Sequence, residues 1–186
     1  MQKQLDRKYT EYLVLRAKTG DRAAFNLLAE HYEKRLLAFA MRMTGEGEMA
    51  RDAVQDAWAD IVRGFSSLSD SRLFNAWAYK IVSRRCFDQI RKVQRRRKTN
   101  SAYEAEPRIN TTSGDRAEKN ADHNVVLAII SELPQEQRLA MILYYSDELS
   151  VSEIAHTTGV PVGTVKTRLL HARKKVRAQL KGESNV

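Results

Sequence analysis

Between Thr99 and Asp122 the recurring apolar residues of the chain stop, and TNSAYEAEPRINTTSGDRAEKNAD takes their place. Five acids, three basic residues, Pro107 and Gly114 share this stretch, a composition that favours a solvated linker over a packed element. The chain therefore divides into an N-terminal module over 1–98, a flexible linker over 99–122 and a C-terminal module over 123–186. Modules of this size are viable when mostly helical. Neither alternates apolar and polar residues as a strand does, so the expected fold class is all-α, two small helical domains.

In the N-terminal module, Leu5, Tyr9, Tyr12, Leu13 and Ala17 recur at helical spacing and predict an inward stripe up to Gly20. Asp21 is placed to cap a second helix whose apolar residues are Phe25, Leu28, Tyr32, Leu36, Phe39 and Met43. Gly45 and Gly47 break the pattern. A third helix carries Ala53, Val54, Ala57, Trp58, Ile61, Val62 and Phe65 on one face and Asp52, Gln55, Asp56 and Asp60 on the other. After a polar turn from Ser66 to Arg72, a fourth helix places Phe74, Trp77, Ile81, Ile90 and Val93 inward. Trp58 and Trp77 read as core residues, and Cys86 as a small core or boundary residue rather than a reactive thiol.

The C-terminal module opens with Val125 to Leu133, breaks at Pro134 and resumes through Leu139, Ile142, Leu143 and Tyr144. Ser150-Val151-Ser152-Glu153 has the form of a capping box, in which hydroxyl and carboxylate each satisfy an orphan backbone N–H. Gly159 supplies a left-handed stop, and Pro161 suits the first turn of a new helix, where its missing N–H costs nothing. Val165, Leu169, Ala172, Val176 and Leu180 then line one face. Helix, tight turn and longer basic helix make a helix-turn-helix, a motif that sets its second helix in the major groove. With Val165 and Leu169 inward, Lys166, Thr167, Leu170 and His171 face out near the start of that helix. Lys166 and His171 suit guanine acceptors or phosphates, and Leu170 suits a thymine methyl. Arg168, Arg173, Lys174 and Arg177 lie farther round or along and suit phosphates.

The distribution of charge agrees with an anionic partner. The formal net charge is +9, and it is concentrated in two blocks: eight basic residues and one acid from Arg84 to Lys98, and seven basic residues with no acid from Val162 to Lys181. An enzyme finds little support. There is no glycine-rich phosphate loop or nucleophile motif, His31, His123, His156 and His171 are scattered, and Cys86 stands alone, so no catalytic residue, metal or cofactor is expected. The longest apolar run, Leu139 to Tyr145, is far short of the roughly 20 residues that span a bilayer, so no membrane insertion is expected. Met1 to Lys8 leads into no signal-peptide core, and the expected location is the cytoplasm. From the residues alone, a stand-alone helix-turn-helix regulator binding operator DNA as a dimer stays open.

Four blocks narrow the choice. GDRAAFNLLAEHY from Gly20, ARDAVQDAWADIV from Ala50, FNAWAYKIVSRRCFDQIRK from Phe74 and LPQEQRLAMILYYSDELSVSEIAHTTGVPVGTVKTRLLHARKKV from Leu133 resemble, in order, a bacterial RNA polymerase sigma factor of the extracytoplasmic-function type. Only the linker is unmatched. The resemblance implies that the first domain binds core RNA polymerase and the minus-10 promoter element and that the second, helix-turn-helix domain binds the minus-35 element. It places Asp52, Gln55, Asp56 and Asp60 in the main polymerase-binding helix, opposite the clamp coiled coil of the largest subunit. It assigns Ser69, Asp70 and Arg72 to a loop that holds a base flipped from the non-template strand. Arg84, Arg85, Arg91 and Lys92 belong to the surface that grips the adjacent backbone. The minus-35 contacts fall on Lys166, Thr167, Leu170 and His171, with Arg168, Arg173 and Lys174 on phosphates. Promoter DNA, core polymerase and an anti-sigma factor are the implied partners, and the linker would thread through the polymerase.

Overall fold

The computed structural model describes residues 2–100 and 121–183. The linker expected over 99–122 lies, from 101 to 120, outside the described residues, as do the side chains of Arg97 and Lys98 in the first basic block. All regular structure among the described residues is helical: α1 Gln2–Lys18, α2 Arg22–Thr44, α3 Gly47–Gly64, α4 Phe74–Asn100, α5 Ala121–Ser131, α6 Gln135–Met141, α7 Val151–Thr158 and α8 Val162–Glu183. Two short 3-10 turns, Phe65–Ser67 and Ser71–Leu73, bridge α3 and α4, and a π-helical turn, Ile142–Ser146, continues α6.

The boundaries of α2 and α7 have local causes. Asp21 accepts from the Ala24 N–H at 3.1 Å and starts α2, and Gly45 ends it in the left-handed region at φ 73°. Ser150 caps α7 by accepting from the Glu153 N–H at 3.2 Å, while Glu153 accepts from the Ser150 N–H at 2.7 Å, so both halves of the capping box form. Gly159, at φ 70°, closes α7 and turns the chain into α8. Replacing Ser150 with alanine removes one of these partners; the expected loss is about 1 kcal/mol, read as a lower urea midpoint with an unchanged slope.

α2, α3 and α4 pack together with α1 across α2, burying Leu28, Leu36, Phe39, Ile61, Phe74 and Val82 completely. Edge-on aromatic contacts tie α2 to the α3–α4 connection: Phe25 on Phe65 and Tyr32 on Phe74, each with ring centroids 5.1 Å apart. At the end of α3 a Cβ on Gly64 would sit 3.1 Å from the Trp77 ring, a tight contact that a few tenths of an ångström of ring movement would relieve. In the C-terminal module α8 packs on α5, α6 and α7, burying Val165, Leu169, Ala172 and Val176 as the spacing anticipates.

α1 differs from expectation. Leu5, Tyr9 and Tyr12 are exposed, and Leu13 and Val14 carry its packing. Apolar residues surround this helix on several sides, and α2 selects the edge that contains Leu13 and Val14. Val62, read on the inward face of α3, is likewise exposed, whereas Tyr79, absent from the expected stripe of α4, is buried against Phe39 with centroids 5.1 Å apart. Tyr79 points to a further finding: the two modules lie against one another through α4 and α7.

Candidate nucleic-acid and polymerase interfaces

α8 presents the cleanest surface. Its buried edge fixes its rotation, so Lys166, Thr167, Leu170 and His171 are all exposed on the opposite side, with Leu170 retaining 47% of its accessible surface. Leu170 thus stands among cations on a helix whose core edge is already filled by other residues. Thr167 donates to the Gly163 carbonyl at 3.0 Å, which fixes its rotamer. Arg173 and Lys174 are exposed farther along, the former donating to the Leu169 carbonyl at 3.2 Å. Arg168 is different: half-buried, it pairs with Glu136 of α6 at 2.9 Å and braces α8 against the rest of its module.

On the N-terminal module Asp52, Gln55 and Asp56 are exposed along one face of α3. Asp60, one turn on, is taken up by Arg63 and by Arg85 of α4, whose Nε donates at 2.6 Å. Burial alone would raise the Asp60 carboxyl, but these two guanidiniums outweigh it and hold it below the usual carboxylate range. The pair ties α3 to α4, so the open acidic face comprises Asp52 and Asp56 with Gln55. Trp58, beside them, is half-buried and donates its indole N–H to Glu33 at 2.6 Å.

The α3–α4 connection folds around its own polar side chains. Asp70 accepts from the Arg72 N–H at 2.9 Å and from its guanidinium at 2.8 Å, and the Arg72 guanidinium is the main cause holding the Asp70 carboxyl low. Ser69 is exposed beside them. Along α4, Arg84, Arg91 and Lys92 are exposed, and a shallow depression of about 430 Å³ runs among Asp88, Arg91, Lys92, Arg95 and Arg96. This is a continuous cationic surface suited to phosphates rather than to bases. Cys86 is fully buried on the other face, and burial pushes its thiol up to about 12, which makes it inert. No group of three or more metal-ligating side chains occurs among the described residues, nor any helix long and apolar enough to cross a membrane.

Residues between the modules escaped sequence reasoning. The Asp147 carboxylate, whose side chain is 5% exposed, accepts from Arg42 of α2 at 3.1 Å and from the Tyr79 hydroxyl of α4 at 2.7 Å. Thr157 of α7 donates to the Ala76 carbonyl at 3.1 Å, and Arg7 of α1 pairs with Glu153 at 2.9 Å. A cleft of about 600 Å³ opens beside these contacts. Partners 68 to 146 positions apart leave no periodic trace in a sequence.

Comparison with known proteins gives two family matches, "Sigma-70 region 2" over residues 28–97 and "Sigma-70, region 4" over residues 123–176. The chain is similar to the ECF RNA polymerase sigma factor SigW of Bacillus subtilis, 28% identical over 90% of this chain and 95% of that protein. It is also similar to the ECF RNA polymerase sigma-E factor of Escherichia coli, 30% identical over 89% of this chain and 91% of the other. Two solved structures share its fold. The sigma factor RpoE in complex with the anti-sigma factor NepR from Bartonella quintana has a TM-score of 0.68 at 24% identity, covering 84% of this chain and 96% of that one. CnrH in complex with the cytosolic domain of CnrY has a TM-score of 0.71 at 21% identity, covering 94% and 98%.

Proposed function

The chain belongs to the extracytoplasmic-function RNA polymerase sigma factors, non-enzymatic proteins that direct promoter recognition and transcription initiation, and on that premise we propose how its surfaces divide the work. Residues 1–98 form the region 2 domain, which binds core polymerase and the minus-10 element. Residues 123–186 form the region 4 domain, which binds minus-35 DNA, and 99–122 tether the two. The observation that carries this division is the outer face of α8: Lys166, Thr167, Leu170 and His171 exposed together on a helix whose opposite edge is fully packed.

Asp52, Gln55 and Asp56 meet the clamp coiled coil of the largest polymerase subunit, where charge complementarity would speed and orient docking. Asp60 supports this face from behind by fixing α3 to α4 through Arg85. Ser69, Asp70 and Arg72 receive an unstacked base, and Arg84, Arg91 and Lys92 hold the neighbouring phosphates. Strand opening costs roughly 1 to 2 kcal/mol per base step, and binding to unstacked bases and single-strand phosphates offsets it without hydrolysis. Lys166 and its neighbours read the upstream element, with Arg173 and Lys174 on the backbone. The chain works in the cytoplasm, where polymerase and promoter are, and an anti-sigma factor restrains it, as NepR and CnrY accompany the two structural relatives.

In vitro transcription with bacterial core polymerase and a promoter library tests the division of labour. Start sites that appear only with this chain, and whose yield falls steeply as salt rises, are the expected result. Tight dimeric binding to a palindromic duplex without polymerase, with no dependent start sites, would favour an operator-binding regulator instead.

A further inference from the structure

α1 carries two apolar edges, and the bundle covers only one of them. Thr10, Leu13 and Val14 are buried, with Ala17 half-buried behind them. On the opposite edge Leu5, Lys8, Tyr12 and Leu15 follow one another at steps of three, four and three, and all four are exposed. Tyr12 keeps 55% of its surface and Leu15 53%. Tyr9 flanks this line, its ring edge-on to His31 with centroids 5.9 Å apart and its outer side open. Packing of the bundle gives no reason for two bare tyrosines and two bare leucines on one helix, because the other edge already supplies the core.

The charges on this edge all have one sign. Asp6 is turned aside and accepts from Arg35 at 2.6 Å, and Glu11 lies on the flank toward Arg72. Arg16 is engaged by Asp21 at 2.9 Å, whereas Lys8 has no ion-pair partner among the described residues. Exposed rings beside a free cation suit a ligand that offers both flat apolar faces and negative charge. Unstacked bases on a phosphate backbone do so, while a duplex keeps its base faces hidden from such rings.

Placement selects the strand. α1 packs on the 3-10 turn Ser71–Leu73, and Lys18 donates to the Leu68 carbonyl, so the helix is fastened to the α3–α4 connection at two points. Lys8 lines the same cleft as Ser71, Arg72 and Asn75, and thus stands where the loop gives way to the outer edge of α1. We propose that this edge is a second single-strand site, onto which the non-template strand passes from the loop of Ser69, Asp70 and Arg72. Tyr12 and Tyr9 stack on unstacked bases and Lys8 holds a phosphate between them and the loop. The site rests on the reading of that loop given above and extends it to a helix that precedes the matched region 2 segment, 28–97. Its effect is to hold more of the separated strand and so to prolong the open complex.

Two measurements on the full chain test this: the lifetime of heparin-challenged open complexes formed with core polymerase, and low-salt binding of a fluorescein-labelled random single strand of about 20 nucleotides. Tyr12→Ala is expected to shorten the first and weaken the second by about tenfold, the usual scale for losing one stacked base, while Tyr12→Phe keeps the ring and restores both. Lys8→Ala should weaken strand binding a few-fold and flatten its dependence on log salt by about 0.7, the share of one single-strand phosphate. Core polymerase affinity should stay unchanged, since none of these side chains is buried or lies on α3. Folded variants with unaltered lifetime and strand affinity would overturn the site. So would a Tyr12→Ala variant that loses core affinity instead, which would give this edge to a protein partner. If start sites depend on the chain but neither reading responds, the α1 site fails and the promoter reading stands. If strand binding responds while no start site depends on the chain, the single-strand site stands and the promoter reading fails.

Discussion

Truncating Phe74 to alanine is expected to destabilise the N-terminal bundle by about 3–5 kcal/mol, the usual loss for a fully buried aromatic. Phe74 is 0% exposed and stands where the α3–α4 connection becomes α4. Its ring meets Tyr32 at 5.1 Å, Phe65 at 6.1 Å and Trp77 at 6.0 Å, so it joins α2, the connection and α4 at one point. The cavity left by alanine cannot be filled without moving the loop that carries Ser69, Asp70 and Arg72. Urea melts should show the lower midpoint, and open-complex formation should fall before the chain unfolds, because a loose loop cannot hold a base in place. A loss under about 1 kcal/mol would mean the ring cluster does not organise this end of the bundle.

Reversing charge at Asp56 should weaken core polymerase binding by about 10- to 100-fold, equivalent to roughly 1.4 to 2.8 kcal/mol. Asp56 is exposed on the face it shares with Asp52 and Gln55, so Asp56→Arg places a cation where complementarity requires an anion without disturbing the buried edge of α3. Lys166→Ala should do the reverse, leaving core affinity intact and costing about 1–3 kcal/mol of upstream recognition. The two variants form a crossed pair, read by polymerase affinity and by binding of the holoenzyme to duplex promoter DNA. If Asp56→Arg impaired only DNA binding, or Lys166→Ala only core binding, the two surfaces would have been assigned the wrong way round.

Legibility followed the range of the interaction. Every boundary of α7 and the buried edge of α8 could be read directly, because a cap or a helical stripe involves residues three or four apart. α1 was misread because Leu5, Tyr9 and Tyr12 are as regularly spaced as a packed stripe and yet stay exposed. Periodicity identifies an amphipathic helix but does not tell which of two apolar edges a partner will cover. The candidate sites divide in the same way. The exposure of Lys166, Thr167, Leu170 and His171 followed from helix geometry alone, whereas Asp60, Arg85 and Arg168 looked like free surface charges until Arg63 and Glu136 proved to stand beside them.

The order of amino acids by itself determined a helical chain in two modules, the helix-turn-helix with its stops, and the faces that carry positive and negative charge. These depend on local hydrogen bonding and on the 3.6-residue repeat, which a short window within each helix contains. Only the tertiary structure decided which charges remain available and that Asp147 reaches across to Arg42 and Tyr79. Ion pairs and buried hydroxyls are formed by proximity in space, and a separation of 105 positions says nothing about proximity until the helices have packed.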